Sequence, residues 1–393
     1  KVRGFSSRVL NAIAIDAFFH PITDKVRQVD WHGKFTAGAG HALYTARTYP
    51  KLYWNRAAFV NGPTGHLTAT FLLQRNGSGY ISRNAFNLVA SDDEWTAPIV
   101  AEVGPDGNVW VIDWYNIIVQ HNPTPHGYKT GKGNAYMTKL RDKKHGRVYR
   151  IVHKNAKKST CPNLAKASPQ ELVATLKHDN MLWRLHAQRL LVERGKKDVV
   201  PDLVKLTQDE SVDEIGLNPG VIHALWTLHG LGAITDEVAG KTVRHRSAGV
   251  RRNAVQVLAT PSVSALHDSD AQVRLMALLR LADAKPDSKA GIEIASILTK
   301  PENLEDRWLP DAMTSAAAAH DESFLSAVSG RKLPSRAAQI VAIVAEHYAR
   351  SAPRKSLDTL LAALAKGESS TVDVIIRGLA KGWSKKQSLT AEG

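Results

Sequence analysis

Cysteine is nearly absent. A single residue, Cys161, stands among 393, which excludes an internal disulfide framework, a cysteine-rich zinc site and a CxxCH haem attachment. No apolar run approaches the roughly 18 residues that a membrane-spanning helix requires, so no transmembrane segment is expected. A Gly-rich phosphate loop, an HExxH motif and a Ser-His-Asp order are all missing, and the chemistries built on them have nothing to rest on. The chain starts at Lys1 with no signal peptide and reads as a mature product or an internal fragment. Acidic residues are the scarcer sign: 37 Asp and Glu against 52 Lys and Arg, a net charge of +15. That excess is diffuse. Residues 1–153 carry 19 basic and 10 acidic side chains, residues 154–393 carry 33 and 27, and neither part has a run of five like charges. The densest cluster, Lys139–Arg150, is broken by Leu, Asp, Gly, Val and Tyr. A nucleic-acid partner is therefore not expected.

What is present falls into two textures. Residues 1–153 are rich in Gly, aromatic and β-branched residues and hold five tryptophans, Trp31, Trp54, Trp95, Trp110 and Trp114. Short runs read as strands at Ala42–Ala46, Ala57–Asn61, Leu67–Gln74, Gly79–Arg83 and Asn87–Ala90, punctuated by Tyr-Pro, Gly-Pro-Thr-Gly and Asn-Gly-Ser-Gly. Strands at this spacing with no intervening amphipathic helices predict an antiparallel architecture such as a propeller. The segment Phe5–Phe19 fits strand or helix. Lys154–Ser168 reads as a polar linker. From Pro169 onward Ala, Leu and charged residues follow helical periods, opened by the capping sequence Ser168-Pro169-Gln170-Glu171. Helices are expected at Asp179–Arg194, Val199–Thr207, Pro219–Leu231, Ala248–Leu258, Ala271–Ala282, Lys289–Leu298, Glu305–Ala318, Ser335–Arg350, Lys355–Ala365 and Thr371–Trp383. Small residues recur at Ala187, Ala224, Ala254, Ala277 and Ala316, and Arg184, Arg251 and Arg274 each stand three residues before one of them. The pattern resembles HEAT repeats and predicts a solenoid of helix pairs.

The stretch that organises the rest is Ala101–Val152. An apolar run Pro98–Val103 leads through the turn Gly104-Pro105-Asp106-Gly107 into Asn108–Trp114, and Gly146–Val152 closes the unit after the polar stretch Tyr115–His145. A Pro-Asp-Gly turn between Val/Ile/Trp runs makes a tight strand connection. An insert longer than about 12–15 residues within a compact domain is usually functional or disordered, and this one carries His, Asn, Lys and aromatic residues.

These same residues, SDDEWTAPIVAEVGPDGNVWVIDWYN, IVQHNPTPHGYKTGKGNAY and LRDKKHGRVYRIV, resemble the bacterial membrane-bound dehydrogenase family. Its members are glucose/sorbosone dehydrogenase-like β-propellers, related to the quinoprotein sugar dehydrogenases and followed by HEAT-like repeats. The likeness covers Trp31–Val152. It implies partial β-propeller blades (residues 1–153), a linker (154–168) and an α-helical HEAT-like solenoid (169–393), a multidomain β + α chain. It further implies a sugar or polyol substrate, PQQ as hydride acceptor, Ca²⁺ to polarise it, a cytochrome electron acceptor, a protein partner on the solenoid and a periplasmic or extracytoplasmic location. The family's N-terminal blades and haem domain have no counterpart in this chain, so the fragment alone is expected to be inactive.

Strand alternation places the chemistry. If Pro98–Val103, Asn108–Trp114 and Gly146–Val152 are neighbours, the Asp106 turn lies at one end of the sheet, and the loops 91–97 and 115–145 lie at the other. Asp92, Asp93 and Asp113 are candidate metal ligands, or alternatively turn caps and backbone acceptors. His121 and His126 are candidate catalytic bases, with an unperturbed pKa of roughly 6.5 that suits proton abstraction, or structural histidines. Trp95, Trp114 and Tyr115 stack on a sugar or quinone, or else fill the core and rim. Asn116 and Arg141 complete the candidate cofactor set, and Arg147 and Arg150 lie on opposite strand faces, so that at most one reaches the site. The alternative to a dehydrogenase is a non-catalytic module that binds glycan or protein.

Overall fold

A computed structural model describes residues 13–26, 33–35, 38–117, 119, 127, 129–130, 136–137, 139, 142, 144–351 and 354–383. His121, His126, Arg141 and Trp31, with most of the long insert, lie outside them. Contacts divide the chain into two compact units. The first holds the described parts of 11–75 and 80–199, and the second holds 76–79 and those of 200–393.

In the first unit, β1 (Ala39–Leu43), β2 (Ala57–Gly62), β3 (Leu67–Asn76) and β4 (Gly79–Ala90) form a sheet in that order. A second sheet, in the order β5-β6-β9, is built from β5 (Pro98–Val103), β6 (Val109–Asp113) and β9 (Arg147–Ile151), all antiparallel. A two-stranded ribbon, β7 (Lys129–Thr130) with β8 (Tyr136–Met137), lies within the insert. None of these sheets closes on itself. Two expected strands, Gly79–Arg83 and Asn87–Ala90, are one continuous strand. Asn84, in the expected gap, and Asn87 donate from their side chains to the carbonyls of Phe18 and His20. The expected strand at Ala42–Ala46 sits earlier, because Tyr44–Trp54 leaves the sheet to build an aromatic cluster. Tyr44 stacks on Tyr49 at 4.7 Å, and Tyr53 meets both edge-on. Burial pushes the Tyr49 hydroxyl up to about 12, so it stays a neutral donor. It donates to the Ile151 carbonyl and accepts from Val109 N (3.1 Å).

The Gly104–Gly107 turn is held from several directions. Its carbonyls accept from Asn180 Nδ2 (Gly104, 2.8 Å), Trp183 Nε1 (Pro105, 2.8 Å) and Tyr44 OH (Gly107, 2.8 Å). Gly107 needs its missing Cβ: φ is +74° and an added methyl would sit 2.0 Å from Thr48 Oγ1. Asn180 caps, and Trp183 lies on, α2 (Met181–Arg194), which follows α1 (Pro169–Thr175) with its Ser168–Glu171 capping box. Both helices thus pack within the β-containing unit. The division of contacts falls at Val199/Val200, rather than in the polar stretch 154–168 where the texture changes.

The second unit is helical. Its helices are α3 (Val200–Thr207), α4 (Pro219–Gly230), α5 (Asp236–Thr242), α6 (Ala248–Val257), α7 (Ala271–Ala282), α8 (Ser288–Ile297), α9 (Pro301–Leu304), α10 (Leu309–Ala319), α11 (Asp321–Ser329), α12 (Ser335–Arg350), α13 (Arg354–Leu364) and α14 (Ser369–Gly382). No strand follows Ile151 among the described residues. The helices stack in sequence: α4, α6, α7, α10, α12 and α14 each touch the next, and α8, α11 and α13 form a second row. The recurring alanines 187, 224, 254, 277 and 316 are all fully buried. The arginines that precede three of them share one device. Arg184, Arg251 and Arg274 each donate to the carbonyl six residues upstream, those of His178, His245 and Asp268. Within the helical unit Arg251 also grips the Asp268 carboxylate with two bonds (2.7 and 2.8 Å), and Arg274 reaches Asn303 Oδ1 (3.0 Å). The helix expected from Glu305 starts at Leu309, because Asp306 accepts from Trp308 N and Leu309 N and ends the preceding turn. Sequence periodicity missed α5, α9 and α11, all under ten residues.

His320 joins α7 to the start of α8. Its Nδ1 accepts from Asp287 N (2.9 Å) and its Nε2 donates to the Leu281 carbonyl (3.0 Å), an arrangement only the neutral ring can make. Burial pushes its pKa below the ordinary 6.5, against the opposing pull of Leu281, Asp287 and Asp321. The unfolded chain therefore takes up the proton first as pH falls. We expect stability from this contact to be complete above pH 6.5 and to decline below it. Urea unfolding between pH 8 and 5 should show a pH slope that His320→Asn flattens, and an unchanged slope would refute the assignment.

Candidate functional site

The end of the β5-β6-β9 sheet away from Asp106 gathers the described candidates. Pairing of Pro98 with Asp113 and of Asp113 with Arg147 sets this end, and Val103 with Val109 sets the other. Alternation puts Asp113, Tyr149 and Arg147 on the buried side with Ala101 and Val111. Trp110 and Ile112 fall on the opposite side, and Trp114, 37% exposed, continues their series. Trp114 is thus separated from the other aromatic candidates. As alternation requires, Arg147 reaches the gathering end, whereas Arg150 donates to Asp106 at 2.5 Å.

Loop 91–97 is folded by its own side chains. Asp93 N donates to Ser91 Oγ, Trp95 N donates to Asp93 Oδ1 (3.0 Å), and Ala97 N donates to Asp113 Oδ1 (2.7 Å). His66, itself in the left-handed region at φ +57°, donates from Nδ1 to the Thr96 carbonyl (2.7 Å). Asp113 is fully buried. Its Oδ1 also accepts from Tyr115 N (2.7 Å), and its Oδ2 accepts from Tyr149 OH (2.9 Å). Tyr115 adopts φ +53°, which turns the chain off the strand and lays its ring between two neighbours. The Arg147 guanidinium lies 3.5 Å from the ring centroid, and the Trp95 ring stands 5.9 Å away at 33°. Arg147 also approaches Asp93 Oδ2 and Tyr149 OH, each at 3.4 Å.

Sequence reasoning missed a second group beside this one. Asn116 is buried and donates to the Asp142 carbonyl (3.0 Å). Asp142 Oδ1 accepts from Lys144 N and His145 N, and its Oδ2 lies 2.5 Å from His145 Nδ1. The Lys144 N–H, then the His145 side chain, holds the Asp142 carboxyl below the usual range. With its proton on Nδ1, the exposed His145 ring presents the Nε2 lone pair, the basic form of imidazole. The Asp-x-x-His spacing, read together with an Asx turn, was the available signal.

The structure brings Asp93, Trp95, Asp113, Tyr115 and Asn116 to one end of the sheet. Asp92, at the same end, is exposed. His121, His126 and Arg141 lie outside the described residues. Ca²⁺ asks for six to eight oxygen ligands, and the acids here do not fit that demand. Asp113 spends both oxygens on three protein donors, and Asp93 divides its oxygens between Trp95 N and Arg147. Among the described residues no group of three or more His, Cys, Asp or Glu side chains is placed to hold a metal ion. Of the aromatic candidates, Tyr115 packs against Arg147 and Trp95, and Trp114 lies on the other side of the sheet.

Comparisons with known proteins add little. Residues 6–155 match a family model described as a domain of unknown function (DUF7133). No curated protein matches the chain. Among solved structures, the designed armadillo repeat protein YIII(Dq)4CqI is similar at 14% identity, covering 55% of this chain and 99% of that one with a TM-score of 0.25.

Asp113→Ala tests the assignment of this carboxylate to structure. It strands the Ala97 and Tyr115 N–H groups in a buried site, at about 1–3 kcal/mol for each unsatisfied donor. We expect a loss of roughly 2–4 kcal/mol in the unfolding free energy of the β-containing unit, and no change in melting temperature when Ca²⁺ is added to the wild type. A Ca²⁺-dependent stabilisation that Asp113→Ala abolishes would make it a ligand instead.

Proposed function

We propose that this chain is a non-catalytic binding protein. Its sheets form propeller-type blades that hold a sugar or polyol at the Trp95–Tyr115–Arg147 rim, and its helices form a HEAT-like scaffold for a protein partner. The observation that carries the first part is the packing of the Tyr115 ring against the Arg147 guanidinium and the tilted Trp95 indole. Aromatic faces paired with a few fixed polar groups suit a ring that is apolar on its faces and hydroxylated at its edges. The polar atoms around the rim, Asp93 Oδ2 and Tyr149 OH, are already oriented by Arg147. The second part is supported by the row of helices, each packed on the next, as in solenoids built from stacked helical repeats. The dehydrogenase expected from the resemblance is less well supported, because Asp93 and Asp113, two of the three acids that would hold Ca²⁺, accept from backbone N–H groups.

Titration calorimetry with a panel of mono- and disaccharides tests this reading. A binding sugar should lose tenfold or more in affinity on Tyr115→Ala and on Arg147→Ala, while far-ultraviolet circular dichroism stays unchanged. Affinity that survives both substitutions would remove the rim from recognition. Sugar-dependent reduction of an electron-acceptor dye, abolished by His145→Gln, would replace binding with catalysis.

A further inference from the structure

Within the helical unit, a groove of about 320 Å³ lies along α6 and α7, lined by Ser78, Arg252, Gln256, Gln272, Leu275, Met276 and Leu279. Its two walls differ in kind. Arg252 and Gln256 stand one turn apart on α6. On α7, Gln272, Leu275, Met276 and Leu279 follow the i, i+3, i+4, i+7 series that puts four side chains on one helix face. Leu275 and Met276 are half-buried against the main helical core, and Leu279 is 45% exposed, a large aliphatic side chain that the fold leaves facing water.

Arg252 is the unusual member. One Nη1 hydrogen goes to Gln272 Oε1 (3.1 Å), and among the described residues no carboxylate pairs with it. Its neighbour Arg251, by contrast, is fully engaged with Asp268. A half-buried guanidinium without a counter-charge is costly to hold unless an anion joins it. Because Gln272 gives its oxygen to Arg252, its NH₂ is the end left for a ligand.

We propose that this groove binds an amphiphilic monocarboxylate, a single carboxylate carrying an aliphatic chain. The guanidinium would take the carboxylate in a two-point pairing, the Gln256 and Gln272 amides would add hydrogen bonds, and the Leu275–Met276–Leu279 wall would cover the chain. The volume falls at the small end of ligand pockets, roughly 300–1,000 Å³, which suits one compact molecule. The single cation matches one negative charge. The site lies wholly outside the sugar-binding rim and does not depend on that reading.

The test is titration calorimetry of the full chain with sodium octanoate, with octan-1-ol and octylamine as neutral and cationic controls. Saturable one-to-one binding of octanoate is expected, with at least tenfold weaker binding of either control. Arg252→Gln should weaken octanoate about tenfold or more, in line with a charge-assisted hydrogen bond, and Arg252→Lys, which keeps the charge and loses the two-point pairing, should fall between wild type and Arg252→Gln. Leu279→Asp, at an exposed position, should also weaken it at least tenfold. If Arg252→Gln lowers the helical signal, Leu279→Asp decides. Absence of saturable octanoate binding, equal binding of octylamine, or octanoate affinity unchanged in the folded variants would overturn the proposal. Binding of a leucine-ended peptide in place of octanoate would overturn it too.

Discussion

Four residues, Gly104–Gly107, carry the order of the β-containing unit. A turn that tight exposes three carbonyls that the sheet itself does not use, and each is claimed by a side chain from a different place: Asn180 and Trp183 from α2, and Tyr44 from beside the first sheet. The carboxylate of the same turn accepts from Asn108, Trp110 and Arg150. Burial works against its ionisation, yet hydrogen bonds from Trp110, Asn108 and Arg150 outweigh burial and hold it at about 2. The anion is therefore present throughout the neutral range, and β6 and β9 are pinned through it. Tyr49 extends the same logic one step. Its hydroxyl bridges Val109 and Ile151 on two adjacent strands, so the aromatic cluster and the second sheet are tied at the same end.

The helical unit solves a different problem. No helix there buries its apolar stripe alone, and order must pass from one repeat to the next. The arginine that stands three residues before Ala254, and likewise before Ala277, does part of that work. It closes the loop preceding its own helix by bonding a carbonyl six residues back, and then reaches forward, Arg251 to Asp268 and Arg274 to Asn303. Asp268 in turn caps the chain ahead of α7 by accepting from Asp270 N. Removal of such a residue leaves unsatisfied groups on both sides of a repeat boundary. At the far end, α12 and α14 cross closely enough that a Cβ on Gly382 would lie 2.2 Å from the Glu346 carbonyl. There Glu346 is clamped by Arg350 and Lys381.

Much of this was legible in the sequence, and the failures share a cause. The limits of β5, α7 and α12 follow from alternation or periodicity bounded by Pro, Gly or a capping residue, and all are local signals. The same holds for the recurring alanines, whose neighbours are one turn away. What could not be read is where side chains at long separation meet. Nothing in the pattern around Asn180 or Trp183 announces that they bind a turn 75 residues or more upstream, so α1 and α2 read as belonging with the helices that follow them. Likewise Asp93 and Asp113 read in the sequence either as metal ligands or as turn caps and backbone acceptors. Only the geometry shows their oxygens given to Trp95, Ala97 and Tyr115 N–H groups. A carboxylate in a turn has two futures, cation or backbone, and the sequence does not distinguish them.

That distinction also separates the two proposed recognition surfaces. At the sheet end three carboxylates are already engaged inside the network: Asp93 by Arg147, Asp142 by backbone donors and His145, and Asp113 by three donors. An ion arriving at any of them would have to displace a bond already made. A neutral, hydroxylated ligand displaces none of them, and aromatic faces give it area to cover. Along α6 and α7 the balance is reversed. Arg252 has hydrogen-bonding capacity that one glutamine amide does not exhaust, so an anion gains a partner there without breaking one. The same residue type therefore reads differently by what surrounds it: Arg147 is a fixed part of a surface, and Arg252 is half of a pair.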